Sequence, residues 1–217
     1  MKNRLRLSIL VAVVLGAMAL PVADASAASC VKSGYKVIEQ SKYIRFERGP
    51  IPKGDTTSKK GFYACRIKTG KRYLLGGDFC FGNDLGEIEE FALAGNYVAY
   101  EAYTCGDPEG EADAKRLNVA TGAKASFSAE QGPITEGNVE DYSITDIVVK
   151  ANGNMAWIAL AKQVVGGNQT RYDVRRAING VVDRVDFGPN IVADSLALSG
   201  GNIFWLEGNN AKSASLP

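Results

Sequence analysis

The sequence predicts an all-β, propeller-like fold in which about four similar units of four antiparallel strands follow one another. Three observations lead to this prediction. Short apolar strands alternate with tight turns, an aliphatic residue is followed two positions later by an aromatic one in four places, and a second turn recurs at a similar distance after three of these. An ordinary β-sandwich with similar hairpins is the alternative fold.

The first repeated element is a tight turn that leads into a strand. Four segments align without gaps, and they read QSKYIRF, AGNYVAY, ANGNMAW and SGGNIFW. In three of them the turn holds glycine and asparagine, which accept the backbone conformations of tight hairpins. The aromatic positions are Phe46, Tyr100, Trp157 and Trp205, at intervals of roughly 50 residues. We expect these aromatic side chains to pack between the sheets.

A second turn follows each of the first three aromatic residues and marks a further hairpin. These turns are Thr69-Gly70, Thr121-Gly122 and Asn179-Gly180. The repeats therefore span approximately 35–78, 90–130, 146–187 and 195–217, and the fourth stops after its third strand. Two completions remain open: a closed four-bladed propeller that borrows residues 29–34 as the missing strand, or an open half-propeller that pairs with a second copy as a homodimer.

Residues 1–27 have the pattern of a secretory signal peptide. Lys2, Arg4 and Arg6 precede the apolar run LSILVAVVLGAMAL, and small residues follow it. We expect cleavage after Ala27 and a secreted, extracellular protein. The mature residues 28–217 are long enough for a single domain.

The balance of charge excludes some classes of partner. The chain contains 25 Lys and Arg residues and 24 Asp and Glu residues. This near-neutral composition argues against binding to nucleic acid, which requires a basic surface. No stretch after the signal peptide is apolar enough to span a membrane.

The cysteines predict two disulfide bonds. Cys30, Cys65, Cys80 and Cys105 are an even number in an exported chain. We favour Cys30 with Cys65 and Cys80 with Cys105 among the three connectivities. Structural zinc is disfavoured because the chain has no histidine and no C-x-x-C pair.

The repeated pattern resembles a known group of proteins. A short aliphatic strand, a small turn, a Val/Ile-Ala-Tyr/Trp strand and a later V-x-x-x-T-G-x hairpin are similar to the repeats of TolB-like and WD40-like β-propellers, especially those of exported, poorly characterised bacterial proteins. The chain lacks a W-D dipeptide, an S-P-D-G turn and the Asp-box of sialidases. The resemblance therefore implies the fold and no functional residue.

The long loops are the predicted binding surface. Loops between second and third strands and loops between repeats are long and open on the same end of a propeller, where a protein or carbohydrate ligand would bind. This end is acidic, since Asp84, Glu87, Glu89 and Glu90 cluster in one loop. Asp107, Glu109, Glu111 and Asp113 alternate in another loop and are a candidate Ca²⁺ site, with a solvated acidic loop as the favoured interpretation. No other cofactor is expected.

The function predicted from these features is binding or a structural role outside the cytoplasm. The absence of histidine excludes the common Ser-His and Cys-His catalytic pairs. A carbohydrate-active hydrolase that uses two Asp or Glu carboxyls is the alternative function. Two carboxyl groups that converge in a cleft at the long-loop end would favour the hydrolase.

Overall fold

A computed structural model describes residues 30–51, 59–77, 88–104, 111–128, 139–163 and 169–217. Within these ranges the chain forms β-strands and contains no α-helix. None of the described segments is a helix that could span a membrane. The strands are β1 (Lys36–Gln40), β2 (Ile44–Pro50), β3 (Lys60–Arg66), β4 (Arg72–Gly77), β5 (Phe91–Ala94), β6 (Tyr97–Thr104), β7 (Glu111–Asn118), β8 (Lys124–Ser128), β9 (Val139–Val149), β10 (Met155–Gln163), β11 (Gln169–Ile178), β12 (Val181–Gly188), β13 (Ala197–Ser199), β14 (Asn202–Glu207) and β15 (Asn210–Ser215).

The strands form four antiparallel sheets, each made of strands that are consecutive in the sequence. Sheet I contains β1 to β4, sheet II contains β5 to β8, sheet III contains β9 to β12, and sheet IV contains β13 to β15. Within each sheet, every strand is hydrogen-bonded to the strand that follows it in the sequence. This up-and-down order is that of propeller blades.

Three apolar clusters hold the sheets together, and each lies between two consecutive sheets. The first joins sheets I and II and includes Phe46 and Tyr100. The second joins sheets II and III and includes Trp157, and the third joins sheets III and IV and includes Trp205. The propeller-like prediction is confirmed, since four stacked sheets replace the two of a sandwich. No such cluster of the described residues joins sheet IV to sheet I.

The repeat aromatics are all buried, but they do not all face the same way. Tyr100, Trp157 and Trp205 pack toward the preceding sheet. Phe46 packs toward the following sheet, where its ring stacks on Phe91 of β5 at a centroid distance of 4.0 Å. The gapless alignment of the first repeat is therefore displaced by one residue. Side chains of neighbouring residues in a strand point to opposite faces, so this displacement reverses the face.

The register of the paired strands gives the corrected correspondence between sheets. Ile44, Ala99 and Ala156 each lie opposite an arginine of the third strand, and Phe204 is opposite Ser213. The first three are buried against the following sheet. Phe204 occupies the corresponding position in sheet IV.

The three arginines opposite these residues connect consecutive sheets at the end that carries the tight turns. Arg66 donates to the carbonyl of Ala120 in sheet II, at 3.5 Å. Arg116 donates to the carbonyl of Gly153 at the β9–β10 turn, and Arg176 donates to the carbonyl of Ser215 in β15. Each sheet is thus joined to the next by an apolar cluster and by a guanidinium group.

The outer face of sheet I is covered by residues 30–35, which we call the N-terminal cap. Cys30 forms a disulfide bond with Cys65 of β3, which is the pairing that we favoured. The ring of Tyr35 packs edge-on against Tyr63, with ring centroids 5.3 Å apart. The guanidinium of Arg72 lies 4.7 Å from the Tyr35 ring.

The cap also encloses a buried ion pair. Arg72 donates to Oε1 of Glu47 at 2.6 Å and to the carbonyl oxygen of Cys30, and Glu47 is 1% exposed. Residues 30–35 form no strand, so the borrowed-strand completion of sheet IV is not found. The cap instead closes the first sheet against solvent.

Candidate functional site: an acidic cluster

Five carboxylates from sheets II and III and from the segment before sheet IV influence one another electrostatically, and we call them the acidic cluster. Its members are Glu89, Glu90, Glu101, Asp146 and Asp194. Glu89 and Glu90 directly precede β5, and Asp194 lies between β12 and β13. These positions lie on the side of the first strands where the long loops join.

Two members of the cluster occupy corresponding positions in their sheets. Phe91 of β5 is paired with Tyr100, and Ile147 of β9 is paired with Trp157. Glu90 and Asp146 each precede the residue that is paired with the repeat aromatic. The strands β5 and β9 are in contact with each other. The repeat therefore brings these two carboxylates to neighbouring places.

Glu101 is the most deeply buried member of the cluster. It is 3% exposed in the middle of β6, and its Oε1 accepts a hydrogen bond of 2.8 Å from the main-chain amide of Ile144. The pKa of Glu101 is raised to about 7, mainly by burial and in smaller part by the carboxylates of Glu89 and Glu90. The hydrogen bond from Ile144 acts in the opposite direction because it stabilises the charged form.

Glu90 is partly exposed and has no opposite charge among the groups that set its protonation. Its pKa is raised to about 7, mainly by burial and in smaller part by the carboxylates of Asp146, Asp194 and Glu89. Like charges in close range disfavour the ionised form of each other. At neutral pH this group is therefore divided between its two protonation states.

Asp146 has a structural partner as well as acidic neighbours. Its Oδ2 accepts a hydrogen bond of 2.7 Å from the amide of Leu196, in the segment that leads into β13. Burial raises the pKa of Asp146 and the nearby Asp194 adds to the rise, while the amide of Leu196 lowers it. The carboxylates of Glu101 and Asp146 thus connect sheet II to sheet III and sheet III to sheet IV.

The arrangement can attract cations but holds no recognisable metal centre. Among the described residues, no group of three or more acidic or cysteine side chains is arranged to bind a metal ion. A positively charged group placed beside Glu90 would lower the pKa of this carboxyl and favour its ionised form. The cluster is therefore suited to charged groups on a ligand.

The structure describes only part of the predicted calcium site. Asp107 and Glu109 lie outside the described residues, and Glu111 begins β7. Oδ2 of Asp113 accepts a hydrogen bond of 2.9 Å from Ser126 and lies 3.7 Å from the ammonium of Lys115, so this oxygen already has two protein partners. Calcium binding by this loop stays a prediction.

The other residues singled out in the sequence also lie partly within and partly outside the described ranges. Asp84, Glu87, Cys80 and Cys105 lie outside the described residues, whereas Glu89 and Glu90 belong to the acidic cluster. Sequence reasoning missed Glu101, Asp146 and Asp194. A usable signal for Asp146 existed, because it precedes the apolar pair Ile147 and Val149 as Glu90 precedes Phe91 and Leu93.

No protein-family model and no curated protein sequence matches this chain. Among solved structures it is similar to Trypanosoma rangeli sialidase in complex with the inhibitor DANA, with a TM-score of 0.45 and 7% identity over 79% of this chain and 33% of that chain. It is also similar to Trypanosoma rangeli sialidase, with a TM-score of 0.43 and 8% identity over the same shares. The chain spans about a third of the length of these sialidases. Our assignment of the fold rests on the four sheets and their order.

Proposed function

We propose that this chain is an exported, disulfide-stabilised, propeller-like module that binds a partner. The binding surface lies where the long loops between sheets lead into the first strand of each sheet. The observation that carries the proposal is that Glu90, Asp146 and Asp194, which come from three successive repeats, lie close together. The strand that follows Glu90 contacts β9, which contains Asp146, and Asp146 accepts the amide of Leu196, two residues after Asp194. Loops on a rigid β scaffold commonly carry binding.

The charge of the cluster defines the chemistry of the partner. Each carboxylate neighbour raises the pKa of Glu90, so the cluster has an excess of negative charge that a cationic partner would relieve. We infer a partner with amino or guanidinium groups, such as a basic segment of a protein. Charge complementarity of this kind increases both the association rate and the specificity.

Binding is favoured over hydrolysis because the buried carboxylates are already engaged. A glycosidase requires two carboxyl groups that are free to reach the scissile bond. Glu101 is buried and accepts the amide of Ile144, and Asp146 accepts the amide of Leu196. Both groups maintain contacts between sheets.

The test is a calorimetric titration of the full chain with a short oligolysine peptide, carried out at pH 6 and at pH 8. We expect weak, salt-sensitive binding that is stronger at pH 8, because Glu90 has a pKa of about 7 and is more fully ionised there. Glu90→Gln should weaken binding several-fold. Glu39→Gln is the matched control, since Glu39 is an exposed carboxylate of β1 outside the cluster.

Two results would contradict the proposal. One is that oligolysine does not bind, so that its calorimetric signal is the same as that of an oligoglutamate peptide. The other is equal weakening by Glu90→Gln and Glu39→Gln, which would indicate nonspecific attraction to the whole surface.

A hydrolase is the second candidate function, and one observation favours it. The pKa of Glu90 is about 7, which suits a general acid at neutral pH. Hydrolysis of chromogenic aryl glycosides that is lost in Glu90→Gln and kept in Glu39→Gln would support this function over binding alone.

A further inference from the structure

We propose that the end of the molecule that carries the tight turns binds to an anionic lipid surface. The binding surface consists of four exposed lysines of sheets I and II, which we call the basic turn face, and they are Lys42, Lys68, Lys71 and Lys124. This face lies at the end opposite the acidic cluster, and the inference does not depend on the proposed function.

The two ends of the molecule carry charges of opposite sign. One end carries the turns within the sheets, all of which fall in the described ranges, and they are residues 41–43, 67–71, 95–96, 119–123, 150–154, 179–180 and 200–201. None of these turn residues is acidic. Glu89, Glu90 and Asp194 lie instead in the connections between sheets, at the other end. The near-neutral total charge therefore conceals one basic and one acidic end.

A hydrogen bond between two turns of sheet I brings three of the lysines together. Lys68 and Lys71 belong to the turn between β3 and β4, and Lys42 belongs to the turn between β1 and β2. The main-chain amide of Ile67 donates to the carbonyl oxygen of Tyr43 at 2.9 Å, so the two turns lie side by side.

The fourth lysine comes from sheet II, whose β7–β8 turn packs against the same region. The hydroxyl of Tyr73 donates to the carbonyl oxygen of Val119 at 3.2 Å, and Arg66 donates to that of Ala120 at 3.5 Å. Lys124 directly follows this turn. Because these contacts hold the turns of the two sheets together, the four lysines form one continuous basic surface.

The lysines of the basic turn face have no carboxylate partner. No ion pair of the described residues includes any of them. The ammonium groups of Lys42 and Lys71 lie instead 5.4 Å and 4.9 Å from the ring centroids of Tyr43 and Tyr73. Their charge is therefore available to phosphate groups, and each lysine near an anionic lipid surface increases binding about fivefold.

An exposed aromatic ring favours a lipid surface over a dissolved polyanion. Tyr43 lies beside Lys42 in the β1–β2 turn and is 43% exposed. A tyrosine combines an apolar ring with a polar hydroxyl, which suits the boundary between lipid headgroups and acyl chains. A soluble chain of sulfate groups would bind the lysines and gain little from this ring.

Binding through this end also determines the orientation of the molecule. The basic turn face meets the anionic headgroups, while a negative surface repels the opposite end, where Glu89, Glu90 and Asp194 lie. The acidic cluster is then presented to the medium on the side away from the lipid.

The test is sedimentation of residues 28–217 with vesicles of phosphatidylcholine alone or of phosphatidylcholine mixed with phosphatidylglycerol. These residues contain every described strand, and the apolar run within residues 1–27 would bind lipid by itself. We expect binding to the mixed vesicles only, and release from them at high ionic strength. No binding to the mixed vesicles at low ionic strength would overturn the proposal.

Two double variants that remove the same charge locate the binding surface. Lys68→Gln with Lys71→Gln should weaken binding to the mixed vesicles by at least about tenfold, since each lysine contributes about fivefold. Lys36→Gln with Lys59→Gln is the matched control and should leave binding nearly unchanged, because both lysines are exposed at the opposite end. Equal weakening by the two double variants would assign the effect to total charge and overturn the proposal.

A substitution of the exposed tyrosine distinguishes lipid from a soluble polyanion. Tyr43→Ser should weaken binding to the mixed vesicles several-fold and leave binding to dextran sulfate unchanged. Vesicle binding that Tyr43→Ser does not alter, or binding to dextran sulfate without binding to vesicles, would assign the face to a soluble polyanion and overturn the proposal.

Acetylation of the lysines in residues 28–217 without substitution provides a measurement that does not depend on a variant. With the mixed vesicles, mass spectrometry should show lower reactivity of the four lysines of the basic turn face, while Lys36 and Lys59 keep theirs. Equal protection of both groups, or protection of Lys36 and Lys59 alone, would overturn the proposal.

Discussion

The main-chain amide of Ile144 donates a hydrogen bond of 2.8 Å to the buried carboxylate of Glu101. This contact joins the second strand of sheet II to the first strand of sheet III. It places a titratable group between two sheets, where burial raises its pKa to about 7. The stability of the stack should therefore depend on pH.

The first prediction concerns this dependence. The pKa of Glu101 in the folded chain is about 7, above its ordinary value of 4.5, so its contribution to stability is present below pH 4.5 and is lost as the pH rises through 7. A rise of this size corresponds to roughly 3 kcal/mol between mildly acidic and mildly alkaline pH. Glu101→Gln should remove this loss, and its free energy of unfolding should exceed that of the unmodified chain at pH 8.

Urea denaturation at several pH values checks this expectation. Glu39→Gln serves as the control, since Glu39 is exposed on β1, and it should keep the pH dependence of the unmodified chain. If Glu101→Gln shows the same slope of stability against pH as the unmodified chain, the assignment of the titration to Glu101 is wrong.

The second prediction concerns a buried ion pair in β11. Oδ2 of Asp173 lies 3.0 Å from the guanidinium of Arg175, and both residues are almost fully buried. Asp173→Asn removes the charge that compensates Arg175 and should lower the free energy of unfolding by about 3–5 kcal/mol. Asp183→Asn removes the exposed partner of Arg176 and should cost about 1 kcal/mol or less.

Denaturant midpoints of the two single variants test this difference. The double variant Asp173→Asn with Arg175→Met should recover much of the loss, since it removes both charges of this pair. Equal effects of Asp173→Asn and Asp183→Asn would contradict the interpretation.

The third prediction concerns the disulfide of the N-terminal cap. The cysteines are separated by 35 residues, and a loop of this length corresponds to about 4 kcal/mol in the chain-entropy account. Cys30→Ala combined with Cys65→Ala should lower the free energy of unfolding by an amount of this order. Release of the cap should also lower the pKa of Tyr63 from about 12, which burial and the neighbouring Tyr35 maintain.

Denaturation and a spectrophotometric titration of the tyrosines measure these two effects. A variant whose stability and tyrosine titration match those of the unmodified chain would show that the cap stays in place without its disulfide.

The fourth prediction concerns a close contact beneath the cap. A Cβ atom at Gly49 would lie 2.2 Å from Cδ1 of Tyr35, so Gly49→Ala must displace the ring from Tyr63. We expect a loss of about 1–3 kcal/mol in the free energy of unfolding. Gly201→Ala is the matched control, because nothing lies within 4 Å of a Cβ there, and its effect should stay within about 0.5 kcal/mol.

Thermal and urea denaturation of both variants decide the matter. The loss caused by Gly49→Ala should become smaller in a Tyr35→Ala background, since the obstructing ring is then absent. If the losses of stability caused by Gly49→Ala and Tyr35→Ala simply add in the double variant, the strain does not come from the Tyr35 ring.

Much of the fold could be predicted from local patterns. The turn at Gly95-Asn96 and the alternation in YVAYEAY specify a hairpin, because glycine adopts a positive φ and alternation places side chains on two faces. The alignment failed for Phe46 because both faces of sheet I are buried, one against sheet II and the other beneath the N-terminal cap. Alternation shows that two residues share a face, but it does not show which neighbour that face contacts.

The candidate site was predictable only in part. Glu89 and Glu90 were found because they are adjacent in an acidic loop. Glu101 was missed because a carboxylate inside a strand normally faces solvent, whereas here the amide of Ile144 satisfies it within the interior. The three arginines that connect the sheets were also missed, although Arg66, Arg116 and Arg176 each lie a few residues before a repeated turn glycine.

The sequence by itself determined the all-β class and the repeated order of strands and turns, since these depend on local backbone preferences and spacing. The partner of Cys30 was one of three possible choices, and the structure decided it. The tertiary structure decided which face of each strand meets which sheet, and so which charges are brought together. Glu90, Asp146 and Asp194 are far apart in the chain, and only the stacking of sheets makes them neighbours. The same stacking leaves Phe204 exposed at one end and places the Tyr35 cap at the other. Burial and electrostatic interaction depend on distances in space, which a linear pattern of residues does not contain.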